Sequence, residues 1–244
     1  MKKGKSIYIL PNLLTSMGLF SGFYAIIATV NKNFTYAAIA IFIAAIFDSL
    51  DGRVARATGA SSKFGVEYDS LSDVIAFGVA PALLAYMWAL KGYGRFGWLA
   101  AFLYVACGAL RLARFNIQVD TGPRKHFFGL PIPAAAATIA ASVLFYAQLG
   151  YHGELKTIVM PMLIYLLAFL MVSTVRYYSF KKMTFLKTHP FRSTVMVIMA
   201  LVIIFVEPQI ALFVLTFGYV LSGPVYTILK RKKIIMEERQ PKET

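Results

Sequence analysis

A single cysteine, Cys107, excludes an intrachain disulfide and a thiolate metal centre. The three histidines, His126, His152 and His189, fall at no spacing that would hold a zinc ion. Acidic side chains are scarce: 11 Asp and Glu stand against 25 Lys and Arg, and charged residues make up only 15% of the chain. Ordinary soluble domains carry about 25%. Nothing repeats at a period of roughly 20 to 50 residues, which excludes a solenoid. The two halves also lack the internal symmetry common in transporters. The first apolar run carries Pro11 and Asn12 and lacks a small-residue cleavage pattern, so it does not read as a cleaved signal peptide.

What fills the chain instead is apolar. Hydrophobic residues make up 59% of the 244, and the mean hydropathy is +0.66. The apolar runs are long enough to cross roughly 30 Å of hydrocarbon as helices, and they lack the alternation of a transmembrane barrel. The expected fold is therefore all-α, a polytopic membrane bundle of about eight helices. These fall near residues 10–30, 34–57, 69–90, 96–116, 133–149, 158–175, 194–206 and 210–229. Gly18 and Gly22 form a GxxxG in the first helix that would let a neighbour approach closely. The prolines and glycines of the loop before residue 133 predict a fixed turn. The last two helices carry little that looks chemical, and residues 230–244 read as a charged, disordered tail.

The basic residues set the orientation, because short loops rich in Lys and Arg stay in the cytoplasm. With both termini there, 21 of the 25 Lys and Arg lie on the cytoplasmic side and only Lys32, Lys91, Arg95 and Lys156 lie outside. The expected location is the inner (cytoplasmic) membrane. The formal charge of +14 does not argue for nucleic acid: the cations cluster at helix ends, where anionic phospholipid headgroups attract them.

Against this background the stretch from Asp48 to Asp73 stands out, because it holds four of the chain's five aspartates. A carboxylate in hydrocarbon costs roughly 2.5 to 3.5 kcal/mol on insertion scales. At helical spacing Asp48 and Asp51 share one face, as do Asp69 and Asp73, and a short turn between antiparallel helices brings the two faces together. Two unit charges ~4 Å apart repel by about 4 kcal/mol at an effective dielectric of 20. Four such groups call for cations, and two divalent ions would balance them. All-oxygen ligands select hard ions such as Mg²⁺ or Mn²⁺. A paired-cation site suits phosphoryl transfer. Gly52 permits close backbone approach, Ala55 leaves room for a flat group, and Arg56 can grip a diphosphate through two hydrogen bonds.

Together these residues fit D-x2-D-G-x2-A-R-x8-G-x3-D-x3-D at all eight fixed positions: Asp48, Asp51, Gly52, Ala55, Arg56, Gly65, Asp69 and Asp73. At about 5% usage per residue type, chance gives such a match at a given start with a probability on the order of 10⁻¹⁰. The pattern resembles the signature of the CDP-alcohol phosphatidyltransferase family. That resemblance implies a six-helix catalytic core, here residues 1–180, with the helix pair of residues 181–229 added to it. It also implies a homodimer, two Mg²⁺ or Mn²⁺ ions and a CDP-linked lipid bound at the cytoplasmic edge of the membrane. Asp48, Asp51, Asp69 and Asp73 would hold metal, with Asp73 also the general base. Gly52, Ala55, Arg56 and Gly65 would line the CDP site, joined by Asn12 and Thr15 from one face of the first helix.

The motif is shared by members that use different acceptors, so the acceptor must be read elsewhere. The segments PNLLTSMGLFSGFYAI, RLARFN and FGLPIPAAA are similar to those of membrane-integral bacterial members that use L-serine. With CDP-diacylglycerol as donor, Arg111 and Arg114 then offer a cationic pair for the serine carboxylate, and Asn116 a further hydrogen-bonding group. The alternatives are the same reaction on glycerol 3-phosphate or an inositol, and a cation transporter using the acidic cluster as its path. Transport fits poorly, since such sites favour the midplane and broken helices.

Overall fold

The computed structural model describes residues 9–60, 62–119, 127–149, 155–177 and 206–239. Seven helices are present among them: α1 (Ile9–Val30), α2 (Phe34–Thr58), α3 (Lys63–Tyr93), α4 (Arg95–Val119), α5 (Ile132–Gln148), α6 (Leu155–Val172) and α7 (Pro208–Arg239). Five of them, α1 to α4 and α7, are long and apolar enough to cross a membrane, while α5 and α6 are shorter apolar helices. The all-α bundle expected from the sequence is the observed architecture. The helix expected near 194–206 lies outside the described residues apart from its end, as do the three histidines and the basic segment after Tyr177.

Two expectations need correction. The chain does not become irregular at Lys230, because α7 continues to Arg239. The run KRKKIIMEER is made almost wholly of good helix formers, so an established helix extends through it despite its charge. The sixth helix stops at Val172 rather than 175. There the chain turns into an antiparallel pairing of Phe127–Phe128 with Arg176–Tyr177, two residues on each side.

That pairing fixes residues 127–130 ahead of α5, while the part of the expected turn before Phe127 lies outside the described residues. Gly129 donates its N–H to the Val175 carbonyl at 2.9 Å, and Leu130 donates to the Leu170 carbonyl at 3.0 Å. Gly129 has φ +79°, a conformation that side chains disfavour.

Small residues set how closely the helices pack. Without a difference in apolarity between lipid and neighbouring helix, association depends on backbone approach. Ala25 and Ala28 of α1, Ala37, Ala38, Ala40 and Ala44 of α2, and Ala76 and Ala80 of α3 are all buried. Gly22 is the tightest point on α1: a Cβ there would fall 2.6 Å from the Ala76 Cα. The GxxxG reading therefore holds, with Gly22 against α3 and Gly18 turned to Ala44 and Phe47 of α2.

Helix α3 is not uniformly wound. It is α-helical from Lys63 to Asp73, widens to a π-helix over Val74–Val79, and widens again over Tyr86–Leu90. A wide turn disturbs the carbonyl ladder, and buried carbonyls need partners where water is absent. The fully buried Tyr104 of α4 supplies one, donating to the Phe77 carbonyl at 3.1 Å.

Candidate active site

The acidic residues arise where α2 ends and α3 begins. Helix α2 is closed by Gly59 in the left-handed conformation (φ 65°), whose N–H bonds back to the Ala55 carbonyl. Ser62 then caps α3, its hydroxyl accepting from the Gly65 N–H at 3.0 Å. This tight reversal makes the two helices antiparallel and sets Asp48 and Asp51 opposite Asp69 and Asp73.

Carboxylate oxygens of Asp48, Asp51 and Asp69 lie within 4.8 Å of one another. Asp73 lies outside that triplet. Carboxylates gathered this closely repel one another unless a proton or a cation lies between them. All four line one narrow cleft with room for about 10 Å³, bounded further by Thr15, Gly18, Ala44, Ser72, Ala76 and Phe77. Asp51 is only 5% exposed and accepts a 2.8 Å hydrogen bond from the Thr15 hydroxyl. The donor set is all oxygen, clustered and negatively charged, which fits a hard divalent cation.

A larger cavity of about 180 Å³ opens beside the cleft and shares Thr15, Asp51 and Asp69 with it. Its wall contains every residue expected to bind CDP: Gly52, Ala55, Arg56, Gly65, Asn12 and Thr15. The two glycines provide space. A Cβ on Gly52 would stand 3.3 Å from the Arg56 guanidinium, and one on Gly65 would stand 3.4 Å from the Asn12 side-chain oxygen. Sequence reasoning missed Pro11, Ala60, Ser62 and Val66 in this wall. Of these, only Ser62 leaves a readable signal, as a helix cap. Ser16 and Tyr68, in hydrogen-bond contact at 2.9 Å, hold α1 against α3 nearby.

The three residues expected to bind the acceptor part company. Arg111 is buried, with Asp73 as an electrostatic neighbour, and its Nε has no hydrogen-bond partner. Arg114, though near Arg111 in space, donates to the Val172 carbonyl at 3.3 Å and so braces the end of α6. Asn116 donates from Nδ2 to the Ser70 hydroxyl at 3.0 Å, tying α4 to α3. Tyr219 of α7 is an electrostatic neighbour of Arg111.

Fold and site together define a polytopic membrane protein with a cation-attracting acidic centre beside a polar cavity, both at one end of the bundle. Residues 8–172 match the CDP-alcohol phosphatidyltransferase family. The chain is 39% identical over 237 residues to a CDP-diacylglycerol–serine O-phosphatidyltransferase of Helicobacter pylori, covering 96% of this chain and 97% of that one. It is 42% identical over 178 residues to an archaetidylserine synthase of Methanothermobacter thermautotrophicus, covering 72% of each. It is also 39% identical over 154 residues to a CDP-diacylglycerol–serine O-phosphatidyltransferase of Mycobacterium leprae, covering 61% of this chain and 51% of that one. The chain belongs to the CDP-alcohol phosphatidyltransferase family.

Proposed function

We propose that this protein transfers the phosphatidyl group of CDP-diacylglycerol to the hydroxyl of L-serine, giving phosphatidylserine and CMP. The observation that carries the choice of acceptor is the likeness to serine-transferring relatives along almost the full length of the chain. The buried guanidinium of Arg111, whose Nε–H has no hydrogen-bond partner, supports it as a partner for the carboxylate that serine has and simple alcohols lack.

Asp48, Asp51, Asp69 and Asp73 would hold two divalent cations, Mg²⁺ or Mn²⁺. When bound, such ions supply charge neutralisation at the diphosphate. The chain's own groups do the rest. Arg56 and the wall formed by Gly52, Ala55, Gly65, Asn12 and Thr15 hold the cytidine diphosphate, while the acyl chains stay in the bilayer. Arg111 holds the serine carboxylate. Asp73 accepts the proton of the serine hydroxyl as its oxygen bonds to the phosphorus bearing diacylglycerol, and the bond from that phosphorus to the bridging oxygen breaks to release CMP. Arg114 and Asn116 fix the helices around the acceptor site. The site faces the cytoplasm at the inner membrane, and the working unit is a homodimer, as the family resemblance implies.

The test is a panel of labelled acceptors offered to purified protein with CDP-diacylglycerol, with metal and in excess chelator. The expected result is serine-dependent release of CMP that chelator abolishes and Mn²⁺ or Mg²⁺ restores. Equal use of glycerol 3-phosphate or an inositol would overturn the choice of acceptor. Turnover unaffected by chelator would overturn the cation site.

A further inference from the structure

The first wide turn of α3 begins at the residue after Asp73, so the acidic centre and the change of winding are joined end to end. Across that turn the Ala80 N–H bonds to the Ile75 carbonyl, five residues back. Ordinary α-winding would instead need the N–H of residue 81 at the Phe77 carbonyl, and Pro81 has none. Phe77 is buried, where a carbonyl without a donor is costly. Tyr104, fully buried on α4, donates its hydroxyl to that carbonyl at 3.1 Å.

The same turn forms part of the acidic cleft. Ala76 and Phe77 both line the narrow space shared by Asp48, Asp51, Asp69 and Asp73. From one side α1 presses on the turn, where Gly22 meets Ala76. From another, Tyr104 holds it to α4. Just before Asp73, the buried Ser72 donates its hydroxyl to the Thr15 carbonyl of α1 at 3.3 Å. Asp73 thus sits between a residue tied to α1 and a turn tied to α4. A change in the winding displaces Asp73 before it reaches Asp69, one turn back.

We propose that Tyr104 is a positioning residue for the acidic centre: its bond to the Phe77 carbonyl keeps the turn wide and holds Asp73 where the four acids can share divalent cations. Tyr104 is in the wall of neither cavity, so it acts through the backbone of α3. The inference rests on the cation reading above and is independent of the choice of acceptor.

The test measures Mn²⁺ binding to purified protein without substrate, from the electron paramagnetic resonance signal of the free ion. Tyr104→Phe keeps the ring and removes the hydroxyl. It should raise the Kd for Mn²⁺ by about tenfold, as the loss of groups that orient metal ligands does. Tyr177→Phe is the matched control: this buried residue also donates a phenol hydroxyl to a helix carbonyl at 3.1 Å, that of Val220 on α7. It should leave the Kd unchanged. Melting temperatures in detergent show what each lost bond costs the fold. An unchanged Kd in Tyr104→Phe, or an equal rise in both variants, would overturn the proposal. Should Tyr104→Phe not fold, Pro81→Ala decides, because it offers the Phe77 carbonyl a helical N–H in competition with Tyr104. Mn²⁺ binding should then weaken with the melting temperature retained. Unchanged binding, or weaker binding with a lowered melting temperature, overturns the proposal. Unaltered protein that binds no Mn²⁺ would remove the cation reading and this inference with it, whereas binding that Tyr104→Phe leaves intact removes this inference alone.

Discussion

The crowding of Asp48, Asp51 and Asp69 within 4.8 Å of one another, with Asp73 in the same cleft, sets the residue-scale chemistry, because so much negative charge in one place calls for a cation. Asp73 differs from the others in lying outside the 4.8 Å triplet, on the side toward Arg111. Replacing it with Asn keeps the shape and removes the proposed base. Turnover should fall by roughly 10²- to 10⁴-fold with the melting temperature retained, as measured by CMP release and thermal unfolding. Thr15 tests the neighbouring shell. Its hydroxyl holds the buried Asp51 carboxylate at 2.8 Å, and groups that orient metal ligands typically change affinity by about 10- to 100-fold when removed. Thr15→Val should raise the Mn²⁺ concentration needed for half-maximal activity by that order, and full activity at unchanged Mn²⁺ would reduce Thr15 to a packing role. The acids were legible in the sequence because helical spacing and their cost in an apolar chain pointed the same way. The division of labour among Arg111, Arg114 and Asn116 was not legible, since periodicity places all three near one helix end and cannot say which finds a partner. Only packing assigns Arg114 to the Val172 carbonyl and Asn116 to Ser70.

At the scale of elements, closeness between α1 and α3 governs whether Ser72 reaches the Thr15 carbonyl and Tyr68 reaches Ser16 beside the acidic cleft. Gly22→Ala should separate these helices, because its methyl would meet Ala76 backbone rather than a flexible side chain. A cost of about 1–3 kcal/mol is expected, read as a lowered melting temperature in detergent together with weaker metal activation. Gly92→Ala, which would meet nothing within 4 Å, is the neutral control. The helix boundaries near α1, α2 and α5 could be read to within a residue or two, since Asn33, Gly59 and Pro131 punctuate them. The two wide turns of α3 could not, because π-winding leaves no composition signal and depends on a partner such as Tyr104 arriving from another helix.

At the scale of the whole molecule, the acidic centre, Arg111 and the start of α5 beside the end of α6 all gather at one end of the bundle. The distribution of Lys and Arg predicts that this end faces the cytoplasm. In a Cys107→Ala background, a cysteine at exposed Lys91 should react with an impermeant maleimide on intact cells. One at exposed Lys63 should react only after the membrane is opened. The reverse pattern would turn the site outward. The same gathering has an outcome in time. Every wall residue of the larger cavity falls between Pro11 and Asp69, so it leaves the ribosome before α4 to α7 exist. Chains tend to acquire structure in the order they are made. The larger cavity can therefore take shape while Arg111 is still untranslated, and α7 is the last of the described helices to arrive.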